Sequence, residues 1–155
     1  MEGTLFQINT SQGGVPKRPI AEAELTAFGL AGDKQKDLRY HGGPDRAICL
    51  YSLERILQLQ KEGHPIFPGS IGENLTISGL EWPDIQLGDR LLIGQQSVIE
   101  ITTYAAPCRT IVESFADKNS NRISQKIYPG WSRLYAKVIT PGHLSAGELV
   151  RVVKQ

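Results

Sequence analysis

Cysteine is scarce in this 155-residue chain, present only as Cys49 and Cys108. Two cysteines in a chain long enough to bury its own core do not make a disulfide framework, and neither CxxC nor Cys/His zinc spacing occurs. A reducing compartment follows as the expectation, with the cytoplasm as location. An excess of charge of either sign is also missing: 17 Lys+Arg stand against 16 Asp+Glu, a net charge of +1. Without a basic block there is no electrostatic case for a nucleic-acid polymer or a polybasic membrane contact. No window approaches the ~20 apolar residues of a membrane span, and Met1–Asn9 has neither the basic nor the apolar part of a secretory signal. Internal repeats and long linkers are absent too, which leaves one domain over residues 1–155.

What the chain does have is turn-forming residues, 16 Gly and 9 Pro. Between them lie short segments in which apolar residues alternate with polar ones, the pattern of half-buried strands. Leu5–Asn9, Ala21–Phe28, Arg46–Tyr51, Glu73–Ile77, Gln86–Ile93, Ser97–Thr102, Leu134–Thr140 and Glu148–Val153 all qualify. Gly94-Gln95-Gln96 joins two of them as a hairpin, and Pro141-Gly142 predicts a tight turn with positive φ at the glycine. Helices are the minority. Ser52 is placed to cap one that runs to Gly63, and Ile111, Val112 and Phe115 predict a second opening near Cys108. The fold class expected is mainly β, a closed or nearly closed barrel with a few peripheral helices.

Three glycine-rich stretches stand out as candidate sites. His41-Gly42-Gly43-Pro44-Asp45-Arg46 puts two glycines and three ionisable side chains before an apolar strand, which suits either an anion-binding nest or a simple tight loop. Gly29–Asp33 and Gly69–Asn74 each end a glycine turn on a carboxylate, with Asp33, Glu73 or Asn74 as backbone caps in the plainer reading. They gain meaning only if the fold joins them. Cys108 is the sharper candidate. A thiol at a helix start beside Arg109 has its thiolate favoured, which suits metal ligation or sulfur transfer, whereas Cys49, between Ile48 and Leu50, is a packing residue. His64 precedes Pro65 in a loop that ends a helix, so a cysteine-hydrolase dyad would have to recruit His41 or His143 from afar. Trp82, Trp131 and Tyr128-Pro-Gly either line a pocket or pack the core.

Taken together, Gly29–Asp33, His41–Arg46 running into Ala47–Tyr51, Gly72–Thr76, Leu87-Gly-Asp89 and Pro107-Cys108 resemble the MOSC domain, named for the C-terminal domain of molybdenum cofactor sulfurase. Gly130-Trp131 and Val138–Ser145 are similar to its stand-alone bacterial branch. The resemblance implies a β-barrel and a molybdenum cofactor, a pyranopterin dithiolene with a phosphate, with Cys108 as metal ligand or sulfur carrier. It places His41, Gly42, Gly43, Asp45, Arg46, Glu73 and Asn74 near the cofactor, with Arg46 or Arg109 on its phosphate and Asp45 or Glu73 managing protons. Related oxidoreductases reduce N-hydroxylated compounds, small molecules such as hydroxylamino bases and amidoximes. The chain carries no recognisable flavin, haem or iron–sulfur motif, so the implied partner is a separate electron-donating reductase. Two alternatives stay open: a sulfur carrier loaded at Cys108 by a cysteine desulfurase, and a non-enzymatic carrier of the cofactor working with a cofactor-synthesis protein.

Overall fold

The computed structural model describes residues 1–34 and 43–155. Along the chain run β1 (Glu2–Thr10), β2 (Arg18–Ile20), β3 (Glu22–Thr26), β4 (Gly29–Leu30), β5 (Ile48–Ser52), the helix α1 (Leu53–Lys61), β6 (Leu75–Ser78), β7 (Arg90–Ile93), β8 (Ser97–Ala105), β9 (Arg133–Thr140), β10 (Gly142–Ser145) and β11 (Leu149–Val153). Short 3-10 turns complete the described elements. Seven strands pair in the order β11-β7-β8-β9-β5-β6-β1, and a β11–β1 ladder closes the ring. In that seam Glu2, Gly3 and Thr4 face Arg151, Val150 and Leu149. The predicted barrel is therefore closed, with β2 extending the sheet beside β1.

One pair in the ring is parallel, β5 with β6, and α1 is part of the crossover that this geometry requires. The Ser52 hydroxyl caps the helix by accepting from the Arg55 N–H at 3.2 Å, and Ile56 and Leu59 bury its inner face. The other neighbouring pairs in the ring are antiparallel. Period-two alternation sends Ile48, Leu50, Leu75, Ile77, Ile99, Ile101 and Leu134 into the barrel, where each is at most 2% exposed. Burial of that order stabilises by about 1.5–3 kcal/mol per large aliphatic side chain.

Some expectations from the sequence shift. The strand predicted from Gln86 starts at Arg90, because Gln86–Asp89 form a turn in which Asp89 N–H donates to Gln86 O. The strand predicted from Arg46 starts at Ile48. Gly142 does not adopt positive φ. After Pro141 the chain leaves β9 and enters a second, three-stranded sheet, β10-β3-β4. A Cβ at 142 would lie 2.7 Å from the Ser97 hydroxyl, which would have to turn aside to admit it. Among the described residues no helix is long and apolar enough to cross a membrane.

Candidate functional site

Directly opposed residues in a sheet share a face, so the register locates the site. Cys49 of β5 opposes Tyr135 of β9, which opposes Thr103 of β8, and Ala105 opposes Arg133. These side chains occupy the outer face of the barrel wall, since their neighbours Ile48, Ala136 and Ile101 point into the core. Cys49, Ala105 and Tyr135 form an apolar cluster apart from the main core. Burial pushes the Cys49 thiol up to about 11, so it stays protonated and packs as the sequence predicts. The Tyr135 phenol is likewise pushed up, by burial first and then by Cys49.

Cys108 lies just beyond β8 and is partly exposed, with its Sγ 2.8 Å from Thr110 Oγ1. The α-helix expected to open there is instead a six-residue 3-10 turn, Arg109–Ser114. Ile111 and Ser114 are its buried residues, the i, i+3 spacing that eclipses in a 3-10 turn, and the β-branched run Thr110–Val112 disfavours α-helix. Helix-terminal charge is thus not available to Cys108 in the form expected from the sequence. Arg109 is exposed. The nearby buried cation is one that the sequence reading missed, Arg133, only 3% exposed. Its Nη1 donates to Ile71 O and its Nη2 to Ala106 O, both at 2.9 Å, while its buried Nε has no hydrogen-bond partner. Burial disfavours its charge, but Cys49, Tyr135, Cys108 and Glu73 surround it and hold its pKa above the ordinary value.

Gly43, at φ 78°, leads into the 3-10 turn Pro44–Arg46, which lies against β8 and β9. The ladder shifts register between Ile101 and Thr103, and the hydroxyl of the intervening Thr102 donates to Asp45 O. Arg46 sits with its guanidinium carbon 5.6 Å from the Tyr135 ring centroid. The exposed Asp45 joins Arg46, Gly88, Glu100, Ile101, Thr102 and Thr103 around an open groove of about 540 Å³. His41 and Gly42 lie outside the described residues.

The other two glycine stretches do come together. Asn74 Nδ2 donates to Asp33 Oδ2 at 2.9 Å, and its Oδ1 accepts from the Cys49 N–H at 3.0 Å. Asp33 also pairs with the buried Lys17 at 2.6 Å. Gly69 is required at the crossing, because at φ +91° a Cβ would sit 2.3 Å from Lys17 O. Glu73 is 0% exposed. Its Oε2 accepts from the Gly69 N–H at 3.0 Å and the Thr76 hydroxyl at 2.9 Å, and its Oε1 has no partner. Burial outweighs those bonds and pushes its carboxyl up to about 7. Asn74 and Glu73 therefore act as internal clamps, the capping role that the plainer reading gave them. Asn74 thereby also holds the Cys49 backbone.

The chemistry of this donor set fits a phosphate-bearing molybdenum cofactor. A partly exposed soft sulfur donor stands near a buried guanidinium with one unsatisfied N–H, and Arg46 and Arg109 supply further cations.

Comparison with known proteins agrees with this architecture. The family model described as MOSC domain matches residues 37–151. The uncharacterized protein YflK of Bacillus subtilis (strain 168) is 31% identical over 137 residues, 86% of this chain and 60% of its own length. Protein YiiM of Escherichia coli (strain K12) is 32% identical over 139 residues, again 86% of this chain and 60% of its own. The chain thus spans about 60% of the length of these curated relatives. A solved structure of a hypothetical protein, 29% identical, superposes with a TM-score of 0.78 over 99% of this chain and 69% of that one.

Proposed function

The chain belongs to the MOSC domain family, and from that premise we propose that it holds a molybdenum cofactor through Cys108 and reduces N-hydroxylated compounds. The observation that carries the reading is the partly exposed Cys108 thiol close to a buried arginine on the outer wall of the barrel. When bound, the cofactor supplies a two-electron reducing centre. The net reaction is R–NHOH + 2e⁻ + 2H⁺ → R–NH₂ + H₂O, in which the N–O bond breaks and its oxygen leaves as water. Cys108 Sγ is the protein's ligand, and Arg46 or Arg109 binds the phosphate through a planar fork of donors. The proton carrier is Asp45, which is exposed on the groove, rather than Glu73, which has no exposed surface. Electrons come from a separate reductase, and the substrate enters along the groove beside Asp45 and Arg46.

The test begins with molybdenum and pterin content of protein purified anaerobically from a cofactor-competent host. About one of each per chain is expected, and their loss in Cys108→Ser. Reduction of a hydroxylamino base with an artificial electron donor should then yield the amine. Absence of metal and pterin, with a persulfide on Cys108 after incubation with a cysteine desulfurase and cysteine, would replace this reading with the sulfur carrier. Bound cofactor without turnover would leave a cofactor carrier.

A further inference from the structure

The most unusual group outside the residues legible in the sequence is Arg133. A buried arginine normally faces a carboxylate. This one donates instead to two backbone carbonyls, Ala106 O in the segment that ends at Cys108 and Ile71 O in the loop that carries Glu73. Its positive charge is therefore not spent on a hydrogen-bonded anion among the described residues, and its Nε remains unpaired and buried. The groups that favour its charge are the Cys49 thiol, the Tyr135 phenol, the Cys108 thiol and the Glu73 carboxyl. Cys49 stays protonated. Cys108 is partly exposed, and its thiol is coupled to the guanidinium.

We propose that Arg133 is a positioning residue that fixes the Cys108 segment to the Gly69–Asn74 loop and sets a standing positive potential at Cys108, making this a thiol site selective for anionic ligands. The inference rests on the reading of Cys108 as the cofactor ligand for its biological meaning, but its physical content concerns the protein alone. Arg109 and Arg46 lie nearer solvent, where salt screens them. A buried charge is screened far less. The Arg133 potential therefore persists at ionic strengths that quench its neighbours.

Cofactor-free protein provides the test. Alkylation of Cys108 is followed by peptide mass spectrometry at one pH with iodoacetate, which is anionic, and with iodoacetamide, which is neutral. Both reagents attack the same thiolate, so the ratio of their rates reports the local potential and not the extent of ionisation. In the native chain that ratio should exceed the ratio for Cys108 in the urea-unfolded chain by about threefold or more, and an excess should survive 1 M salt. Arg133→Gln should remove the excess while Arg133→Lys, which keeps the charge, should restore part of it. A thermal melt on each variant separates a loss of stability, common to both, from the loss of selectivity, confined to Gln. Equal ratios in folded and unfolded wild-type protein would overturn the proposal without any variant. So would a selectivity that Arg109→Gln abolishes and Arg133→Gln leaves intact. Selectivity in a protein that takes up neither molybdenum nor pterin would uphold Arg133 and discard the cofactor reading, so the two stand or fall separately.

Discussion

Replacing Glu73 with glutamine should change how stability responds to pH, and the structure gives both sign and size. The carboxyl is fully buried, with Oε2 held by Gly69 and Thr76 and Oε1 unpartnered. Burial raises its pKa in the folded chain to about 7 from a reference of 4.5. Below pH 4.5 the folded and unfolded chains both carry the proton. Between 4.5 and 7 the unfolded chain ionises while the folded one does not, so the contribution of Glu73 to stability falls as pH rises. Above about 7 the deficit is complete, on the order of 3 kcal/mol. Glu73→Gln keeps the shape and cannot ionise. Its stability relative to wild type should therefore grow from pH 4.5 to 7 and then level off, which in a domain of this size corresponds to roughly 6–12 °C in melting temperature. Urea titrations of both proteins at pH 4.5, 6, 7 and 8 measure the difference directly, and other titrating groups cancel in it. A difference that stays flat across the series would mean that water or a cation reaches Oε1 and that Glu73 is not the closed-off carboxyl described above.

Three further outcomes follow from the same region. Asn74→Ala strands Asp33 Oδ2, the Cys49 N–H and Asn9 O, and should cost about 2–4 kcal/mol in a urea titration. Gly69→Ala brings a Cβ to 2.3 Å from a backbone carbonyl, whereas at Gly63, φ +97°, the added methyl meets open space. The first should prevent soluble expression or cost several kcal/mol, the second about 1–2 kcal/mol, as judged by thermal melts. Under native conditions near neutral pH, iodoacetamide should label Cys108 at least tenfold faster than Cys49, whose buried thiol is pushed up to about 11. Peptide mapping after timed quenching reads both rates.

Strands carrying alternation were legible because one face is buried and the period is two, as in β3 and most of β8. The hairpin at Gly94 and the Ser52 cap follow from turn and cap chemistry that acts within a few residues. Short strands escape the same logic: β2 has three residues including Pro19, and β4 has only Gly29 and Leu30. They exist because neighbours pair with them, not because their own residues favour extension. The 3-10 turn at Arg109 was misread for another reason: the i, i+4 pair Ile111 and Phe115 suggests an α-helix, whereas the turn ends at Ser114 and buries the i, i+3 pair Ile111 and Ser114. Arg133 was invisible because an arginine just before an alternating run looks like a solvated strand end, and its two acceptors are carbonyls 27 and 62 residues away. The meeting of Asp33 with Asn74, 41 residues apart, is equally a property of the closed barrel.

That closure has a bearing on how the chain is made. The seam joins residues 2–4 to residues 149–151, so this edge of β1 is covered only after every other strand of the ring has been made. During that interval the early part of β1 offers unpaired N–H and C=O groups, an invitation to pairing with other nascent chains. Vectorial synthesis therefore leaves the ring as an open ribbon until β11 arrives, and the hazard of misassembly is greatest just before this seam closes.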